Sequence, residues 1–340
     1  MKHINVALFV PHKGCPHMCS FCNQKTISGT SAELTHADID EAVRIATSKE
    51  YDNTNSEIAF FGGSFTAIDR EYMTQLLECA YKYVGQGLFK GIRCSTRPDA
   101  IDEDVLSILK QYGVTAIELG AQSMDDEVLS MNDRGHTAED VVNASELIKS
   151  HGFDLGLQMM TGLYGSTSAK DIETAEKLIS LKPETVRIYP TVVLENTRLA
   201  TLYRSGKYTP ETTEEAVENC SVILDMFNNA GIKVIRLGLH SGGNVEDGFV
   251  AGAFHPAFRE LCESRIYFDK LKKIIDREKI TGKITIYVCP SEISKMTGQK
   301  KGNILRLEQM GVHAQVRGDG SLGKYKLRVV REDYYVFKIT

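Results

Sequence analysis

Over the first 240 residues, strand-like and helix-like segments alternate, and this alternation limits the possible folds more than any other feature of the sequence. Regular alternation of this kind is typical of a parallel sheet with helical crossovers. Six or seven units are too few to close an eight-stranded barrel, so we expect an α/β fold with a partial, (β/α)6-type barrel over residues 1–240. Apolar runs with β-branched or aromatic residues predict strands at 4–10, 58–61, 91–95, 116–120, 153–159, 186–193 and 234–239. Amphipathic segments predict helices at 37–47, 71–84, 102–112, 138–150, 169–181 and 211–230.

The pattern changes after residue 240. A turn-rich break at 241–244 is followed by a helix-like stretch, and the last sixty residues resemble a strand, a helix and two further strands. We therefore expect a connecting segment at 241–279 and a small α+β domain at 280–340. That domain carries 11 Lys and Arg against 5 Asp and Glu, although the whole chain has a net charge of −5. A basic module on an acidic body predicts an anionic partner, and a solvated charged face is the alternative.

Composition excludes several classes of protein. The chain has 340 residues, 42% of them hydrophobic, which is enough for a large core. No apolar run approaches the ~20 residues that span a bilayer, so no membrane partner is expected. The start of the chain lacks the cleavage pattern of a signal peptide, which predicts a cytoplasmic protein. Eight cysteines in a chain of this length do not form a disulfide scaffold; in a reducing compartment they are thiols or metal ligands.

Three cysteines are closely spaced directly after the first strand. Cys15, Cys19 and Cys22 form a C-x₃-C-x₂-C run, which the fold would place at the carboxyl mouth of the barrel, where active sites are built. Three thiolates on a 4Fe–4S cluster leave one iron open to a ligand. The alternative is a zinc site with Cys94 or His12 as a distant fourth ligand, although zinc sites more often contain two C-x₂-C pairs. The remaining cysteines lie in apolar surroundings and are expected to be buried: Cys79, Cys94, Cys220, Cys262 and Cys289.

A glycine turn follows the second predicted strand. Phe61-Gly62-Gly63-Ser64 leaves backbone groups exposed and lets a ligand approach closely. One strand after the cysteine run, it resembles the motif of the radical S-adenosylmethionine (SAM) superfamily that binds the methionine part of SAM. The cysteine spacing is also that of the superfamily, and the resemblance implies that Phe21 lies against the adenine. It further implies a 4Fe–4S cluster and SAM as cofactors, with Gly62, Gly63 and Ser64 in the SAM site.

Further motifs resemble one branch of that superfamily, the radical SAM domain of the Elongator catalytic subunit. They are 95–99, 186–191 and 203–208, while 119–123 and 134–137 are also similar to the oxygen-independent coproporphyrinogen oxidases. The resemblance implies that Gln122, Arg134 and Gln158 line the SAM site, with Gln158 at the ribose. Amides suit ribose hydroxyls, and a guanidinium suits the methionine carboxylate. Ser95 stands where relatives usually have a glutamate, so the ribose contact at this position differs.

The resemblance implies reductive cleavage of SAM to methionine and a 5′-deoxyadenosyl radical, with flavodoxin or ferredoxin as the type of electron donor. The leading hypothesis for the substrate is RNA, specifically tRNA. The alternatives are a small molecule such as a tetrapyrrole, and an Fe–S scaffold without catalysis. The Elongator subunit also has an acetyltransferase domain too large for the hundred residues after 240, so acetyl-CoA chemistry is expected to be absent.

The basic C-terminal region contains a glycine and two adjacent lysines. Residues 293–304 resemble the glycine loop and following helix of a KH domain, which holds a nucleic-acid backbone. Lys300 and Lys301 are the candidate nucleic-acid contacts, although Lys301 stands where the second glycine of the KH motif is expected. The alternative is an ordinary α/β cap with a basic turn.

Overall fold

The computed structural model of the protein describes residues 5–10, 15, 18–23, 33–48, 53–239, 244–331 and 336–338. The chain forms two compact units, residues 1–212 with 227–254 and residues 213–226 with 255–340. Of the break predicted at 241–244, only Asn244 lies among the described residues, and it begins a short helix.

The first unit contains strands β1 to β9 in the part that the structure describes. They are β1 (Asn5–Val10), β2 (Glu57–Gly62), β3 (Gly91–Thr96), β4 (Val114–Gln122), β5 (Asp154–Thr161), β6 (Thr185–Pro190), β7 (Val192–Leu194), β8 (Lys233–Leu237) and β9 (Phe249–Gly252). The helices up to residue 247 are α1 (His36–Thr47), α2 (Arg70–Gly85), α3 (Glu103–Gln111), α4 (Asp126–Met131), α5 (Ala138–Ser150), α6 (Ser168–Ser180), α7 (Arg198–Arg204), α8 (Thr213–Asn229) and α9 (Asn244–Asp247). Helix α8 contributes residues to both units.

Seven of these strands form one parallel sheet in the order β1-β2-β3-β4-β5-β6-β8. Strands β1 and β8 are its two edges, so the barrel is partial and open, as the sequence predicts. Short side chains begin several helices: Thr35 and Thr137 each accept a hydrogen bond from the backbone N–H three residues later. The carboxylate of the aspartate at that position in turn accepts a hydrogen bond from the threonine N–H. These capping boxes fix where the chain turns from loop to helix.

The two faces of this sheet differ in chemistry, because side chains alternate along each strand. The face covered by the helices is apolar and buried, as at Leu8, Phe60 and Ile188. The opposite face carries many polar and charged side chains, and we call it the inner face. Its residues include Phe9, Phe61, Glu57, Arg93, Ser95, Glu118, Gln158, Arg187, Tyr189 and Arg236.

One predicted strand is divided in the structure. The expected strand at 186–193 breaks at Thr191, whose N–H and hydroxyl both bond to the carbonyl of Thr161. The part after the break, β7, pairs with β9 in a separate two-stranded antiparallel sheet. Helices α4 and α7 were not predicted, because each is too short for a periodic pattern. Cys289 is only half-buried, contrary to expectation, and its thiol lies 3.3 Å from the Ser291 hydroxyl.

The second unit contains an α+β module. Its elements are α10 (Phe258–Glu278), β10 (Gly282–Val288), α11 (Ile293–Thr297), α12 (Gly302–Gln309), β11 (Val312–Gly318), β12 (Leu327–Arg331) and β13 (Val336–Lys338). The sheet order is β11-β10-β12-β13, with β10 and β11 parallel and the other pairs antiparallel. Where the sequence predicts one helix after β10, the structure has two, joined by the turn 298–301. Helix α10 packs its apolar face on the sheet through Tyr267, Leu271 and Ile275.

No helix among the residues placed by the structure is long and apolar enough to cross a bilayer.

Candidate active site

The predicted site residues of the first unit lie at or near the carboxyl ends of neighbouring strands. The cysteine loop follows β1, the turn 62–64 ends β2, and Ser95 is one residue before the end of β3. Gln122 ends β4, and Gln158 lies in β5. Because the carboxyl ends of parallel strands meet at one edge of a sheet, the fold brings these residues to a common rim.

Arg134 follows α4, and its guanidinium reaches back to this rim. Its Nη1 lies 3.3 Å from Sγ of Cys19, and its Nη2 donates to the carbonyl of Gly120 at 2.6 Å. Burial raises the pKa of the neighbouring Cys15 thiol, Cys19 raises it further, and the cations Arg97 and Arg134 oppose the rise. The two arginines thus favour thiolates at this position, and thiolate is the form that binds metal.

The cysteine loop is anchored by a residue that the sequence did not reveal. Asn132 is fully buried, and its Oδ1 accepts a hydrogen bond from the Ser20 hydroxyl at 2.6 Å. Its amide donates to the carbonyls of Val128 and Tyr164 at 2.7 and 2.9 Å. The Ser20 backbone also bonds to the Asn132 carbonyl and to the N–H of Leu199. Asn132 therefore holds the segment between Cys19 and Cys22 against the loops that follow β4 and β5.

Three buried polar atoms near the end of β4 have no hydrogen-bond partner in the structure. They are Oε1 of Gln122, Nε of Arg134 and Nδ1 of His136. Buried polar atoms are almost always paired, so a cluster of unpaired ones is typical of a site that a polar ligand completes. Gln122 reaches this position through a left-handed backbone (φ 65°) beside an irregularity in the β4–β5 register.

His136, which carries one of these three unpaired atoms, lies within the motif 134–137 but was given no role from the sequence. Its Nε2 lies 3.2 Å from the carbonyl of Ala121, and burial lowers its pKa to about 4, helped by Arg134. The ring is therefore neutral at physiological pH. When Nε2 donates to the carbonyl, Nδ1 is an acceptor without a partner, like Oε1 of Gln122.

The glycine turn has a steric reason for its first residue. Gly62 has φ 108°, and a Cβ there would lie 2.4 Å from the carbonyl oxygen of Val10 in the neighbouring strand. The Ser64 hydroxyl is buried, lies 2.7 Å from the Thr96 hydroxyl and accepts from the Arg97 N–H at 3.2 Å. Since its side chain is used within the protein, we expect Ser64 to meet a ligand through its backbone.

On the inner face next to the rim lies a network of charged side chains that sequence analysis missed. Glu118 accepts from Arg187 at 2.6 and 3.0 Å and from Arg93 at 3.2 Å. Gln158 donates to Glu118 at 3.1 Å, and its amide nitrogen lies 3.4 Å from the Ser95 hydroxyl. The structure thus brings Ser95 and Gln158 together, with Glu118 as the carboxylate beside them. In the sequence, this network could have been detected only from single charged residues within otherwise apolar strands.

Phe21 and the two lysines occupy different surroundings. Phe21 is half-buried and packs on the apolar cluster of Val193, Leu199, Ala200 and Tyr208. Lys300 and Lys301 belong to the second unit and are exposed in the turn between α11 and α12. Both have a left-handed backbone, with φ 52° and 62°.

The donor set suits an iron–sulfur cluster better than zinc. Among the residues placed by the structure, no three His, Cys, Asp or Glu side chains lie close enough together to hold a metal ion, and this includes Cys15, Cys19 and Cys22. The comparison between the two metals therefore rests on the kind of donors and on their surroundings. All eight cysteines are described, and none forms a disulfide. Cys94, the candidate fourth zinc ligand, is fully buried on the helix-covered face, and burial raises the pKa of its thiol to about 12. The other candidate, His12, lies outside the described residues. Three loop cysteines, two nearby cations and three unpaired polar atoms fit a cluster with a polar ligand beside it.

Comparison with known proteins identifies the family. A model of the radical SAM superfamily matches residues 9–179, and one of the radical SAM C-terminal domain matches 183–267. A tRNA uridine(34) acetyltransferase from Methanocaldococcus jannaschii is 31% identical over 182 residues, which cover 48% of this chain and 34% of that protein. Human Elongator complex protein 3 is 30% identical over 203 residues, covering 53% and 37%. The chain thus spans about a third of the length of these relatives.

The solved structure of the archaeal Methanocaldococcus infernus Elp3 with an N-terminal deletion has the same fold. Its TM-score is 0.60 at 22% identity, over 82% of this chain and 63% of that one. The family matches confirm the resemblance drawn from the cysteine run and the glycine turn. The chain belongs to the radical SAM superfamily of enzymes.

Proposed function

We propose that this enzyme cleaves SAM reductively at a 4Fe–4S cluster held by Cys15, Cys19 and Cys22, and that its substrate is RNA, specifically tRNA. When bound, the cluster supplies the electron that converts SAM to methionine and a 5′-deoxyadenosyl radical, which abstracts hydrogen from the substrate. The observation that carries the proposal is the position of Arg134, which touches Cys19 and leaves Nε unpaired beside Gln122 and His136.

The residues of the rim have distinct roles in this proposal. Arg134 binds the methionine carboxylate of SAM by a charge-assisted contact, while Gly62 and Gly63 leave space for the methionine backbone. Gln122 and His136 offer acceptors to polar hydrogens of SAM. Gln158 faces the ribose hydroxyls and is oriented by Glu118, whose carboxylate is itself occupied by Arg93, Arg187 and Gln158. Asn132 orients the cysteine loop and touches no ligand.

Three observations support RNA as the substrate. Relatives are named tRNA uridine(34) acetyltransferases, although they match only part of their length. Phe9 on the inner face is 40% exposed and lies 6.3 Å from the Phe61 ring, and exposed aromatic rings are platforms on which nucleobases stack.

The second unit supplies the third observation. Gly298 cannot carry a side chain, because a Cβ would lie 2.9 Å from the Asn303 nitrogen. The buried Asn303 amide donates to the carbonyls of Ser264 and Met296 at 3.0 Å. The turn is therefore held in place while it presents Lys300 and Lys301 to solvent, as a phosphate-binding loop requires.

Nucleoside mass spectrometry of total tRNA from a deletion strain tests the substrate. We expect one modified nucleoside to disappear, and to return when the wild-type gene is restored but not when the Cys19→Ala variant is. An unchanged nucleoside profile together with an altered tetrapyrrole or other metabolite would contradict the RNA assignment and support a small-molecule substrate. The electron donor is proposed to be a flavodoxin or ferredoxin, which pull-down under anaerobic conditions would identify.

A further inference from the structure

The inner face carries a group of charged side chains, most of which pair with one another. Arg93 donates to Glu57 at 2.8 Å and to Glu118 at 3.2 Å, while Arg187 binds Glu118 through two hydrogen bonds. All four of these side chains are largely buried, between 0 and 15% exposed. Two carboxylates thus neutralise two guanidinium groups, which is the arrangement that buried charges require.

A third guanidinium lies next to this neutral group. Arg236 in β8 is the register partner of Arg187 in β6, so the two side chains are neighbours on the sheet. Arg236 is half-buried, and its Nε donates to the carbonyl of Gly238 at 3.1 Å. Within the part of the chain that the structure places, no carboxylate pairs with it. Among the five charged side chains named here, Arg236 is therefore the one for which the described residues provide no carboxylate partner.

The surroundings of Arg236 confirm that this charge is not solvated as on an open surface. Burial lowers the pKa of the Arg236 guanidinium, Tyr189 raises it, and Arg187 lowers it. Tyr189 also hydrogen-bonds to Arg187, so the phenol is near both arginines. A partly desolvated cation beside another cation costs stability unless an anion compensates it. Such a group is typical of a site where a ligand brings the negative charge.

We propose that Arg236, with Tyr189 beside it, forms a subsite that binds a phosphate group of the substrate on the inner face. The guanidinium presents its two terminal nitrogens as a planar fork, which matches two phosphate oxygens. The subsite rests on the proposed function, in which that phosphate belongs to the RNA backbone. A free nucleotide carries the same chemistry, and the experiment separates the two sources.

The test compares Arg236→Gln with Lys233→Gln, a matched loss of one positive charge on an exposed residue of the same strand. With SAM present, Arg236→Gln should weaken tRNA binding by about tenfold to a hundredfold, as expected for a lost charge-assisted hydrogen bond. Lys233→Gln should change it by less than about twofold. Both variants should retain wild-type SAM affinity and release 5′-deoxyadenosine normally without RNA, because neither residue is among those proposed to contact SAM or the cluster.

A second measurement does not depend on RNA. Arg236→Gln removes a charge for which the described residues provide no carboxylate partner, so the melting temperature of the ligand-free variant should equal or exceed that of the wild type. Arg187→Gln deprives Glu118 of a partner and should lower it. Uridine monophosphate should raise the melting temperature of the wild type and of Lys233→Gln, but not that of Arg236→Gln.

The outcomes distinguish the inference from the proposed function. Stabilisation by the nucleotide that requires Arg236, in a protein with no affinity for tRNA, would support the phosphate subsite and contradict RNA as the substrate. Equal binding of tRNA and nucleotide by Arg236→Gln and wild type would overturn the subsite and leave the RNA assignment intact. A lower melting temperature of Arg236→Gln with unchanged ligand binding would show that Arg236 is a structural residue.

Discussion

Replacing Asn132 by alanine should loosen the cysteine loop without touching a cysteine. The change removes three side-chain hydrogen bonds, to Ser20, Val128 and Tyr164, at a fully buried position. At about 1 kcal/mol for each, the loss of folding free energy is about 3 kcal/mol. For a domain of this size, that corresponds to a melting temperature lower by roughly 6–12 °C. The backbone bond from Ser20 to the Asn132 carbonyl survives, so the loop keeps one of its anchors.

The assay measures melting temperature and the iron bound after anaerobic reconstitution. Ser20→Ala removes one of the three bonds and should lower stability by about 1 kcal/mol, with a smaller loss of iron. Asn143→Ala, on the exposed face of α5, is the matched control and should change stability by less than about 0.5 kcal/mol. If Asn132→Ala bound as much iron and melted at the same temperature as Asn143→Ala, Asn132 would not position the loop.

Three further predictions concern the rim and the second unit. Gly62→Ala should destabilise the fold by roughly 1–3 kcal/mol, because the positive φ of Gly62 and the nearby Val10 carbonyl exclude a Cβ. Gly63→Val should instead weaken SAM binding, measured by calorimetry, and an unchanged SAM affinity would show that the turn is not part of the SAM site. Burial lowers the pKa of His136 to about 4, below its value in the unfolded chain, so the contribution of the neutral ring to the free energy of unfolding is complete above about pH 6.5 and is lost as the pH falls toward 4. His136→Gln should therefore flatten the fall of stability over that range. An unchanged pH profile would refute the burial of a neutral ring. The double change of Lys300 and Lys301 to alanine should weaken tRNA binding and lower the slope of log K against log salt concentration by up to roughly 1.4. The same change at Lys272 and Lys273, two exposed lysines on α10, should do neither. Equal effects of the two pairs would indicate non-specific attraction.

The fold could be predicted because its signal is local and repeated. Most strands of the parallel sheet are apolar runs, and most of the long helices of the first unit begin at a capping residue such as Thr137 and carry an apolar stripe. The break at Thr191 had one signal in the sequence, Pro190, which has no N–H to continue the strand ladder. The β-branched residues after it favour a continued strand, and the contact of Thr191 with Thr161 is not encoded locally. Short helices such as α4 likewise leave no periodic pattern.

The site was predictable where a motif is contiguous. The cysteine run and the glycine turn are adjacent in sequence to the strands that place them, so their meeting at the rim followed from topology. The roles of Asn132 and Glu118 depend on partners 112 and 69 residues away, at Ser20 and Arg187. Contacts at such separations are set by packing and register, which composition and periodicity do not encode.

Iron and 5′-deoxyadenosine measured on the same anaerobically reconstituted protein test the central claim most directly. The wild type should bind about four irons and four sulfides per chain and release 5′-deoxyadenosine from SAM under dithionite. The triple change of Cys15, Cys19 and Cys22 to alanine should abolish both, while Cys79→Ala, at a buried position on α2, should retain both. Stoichiometric zinc in protein purified without oxygen, or 5′-deoxyadenosine release that persists in the triple variant, would contradict the assignment of this loop to a SAM-cleaving cluster.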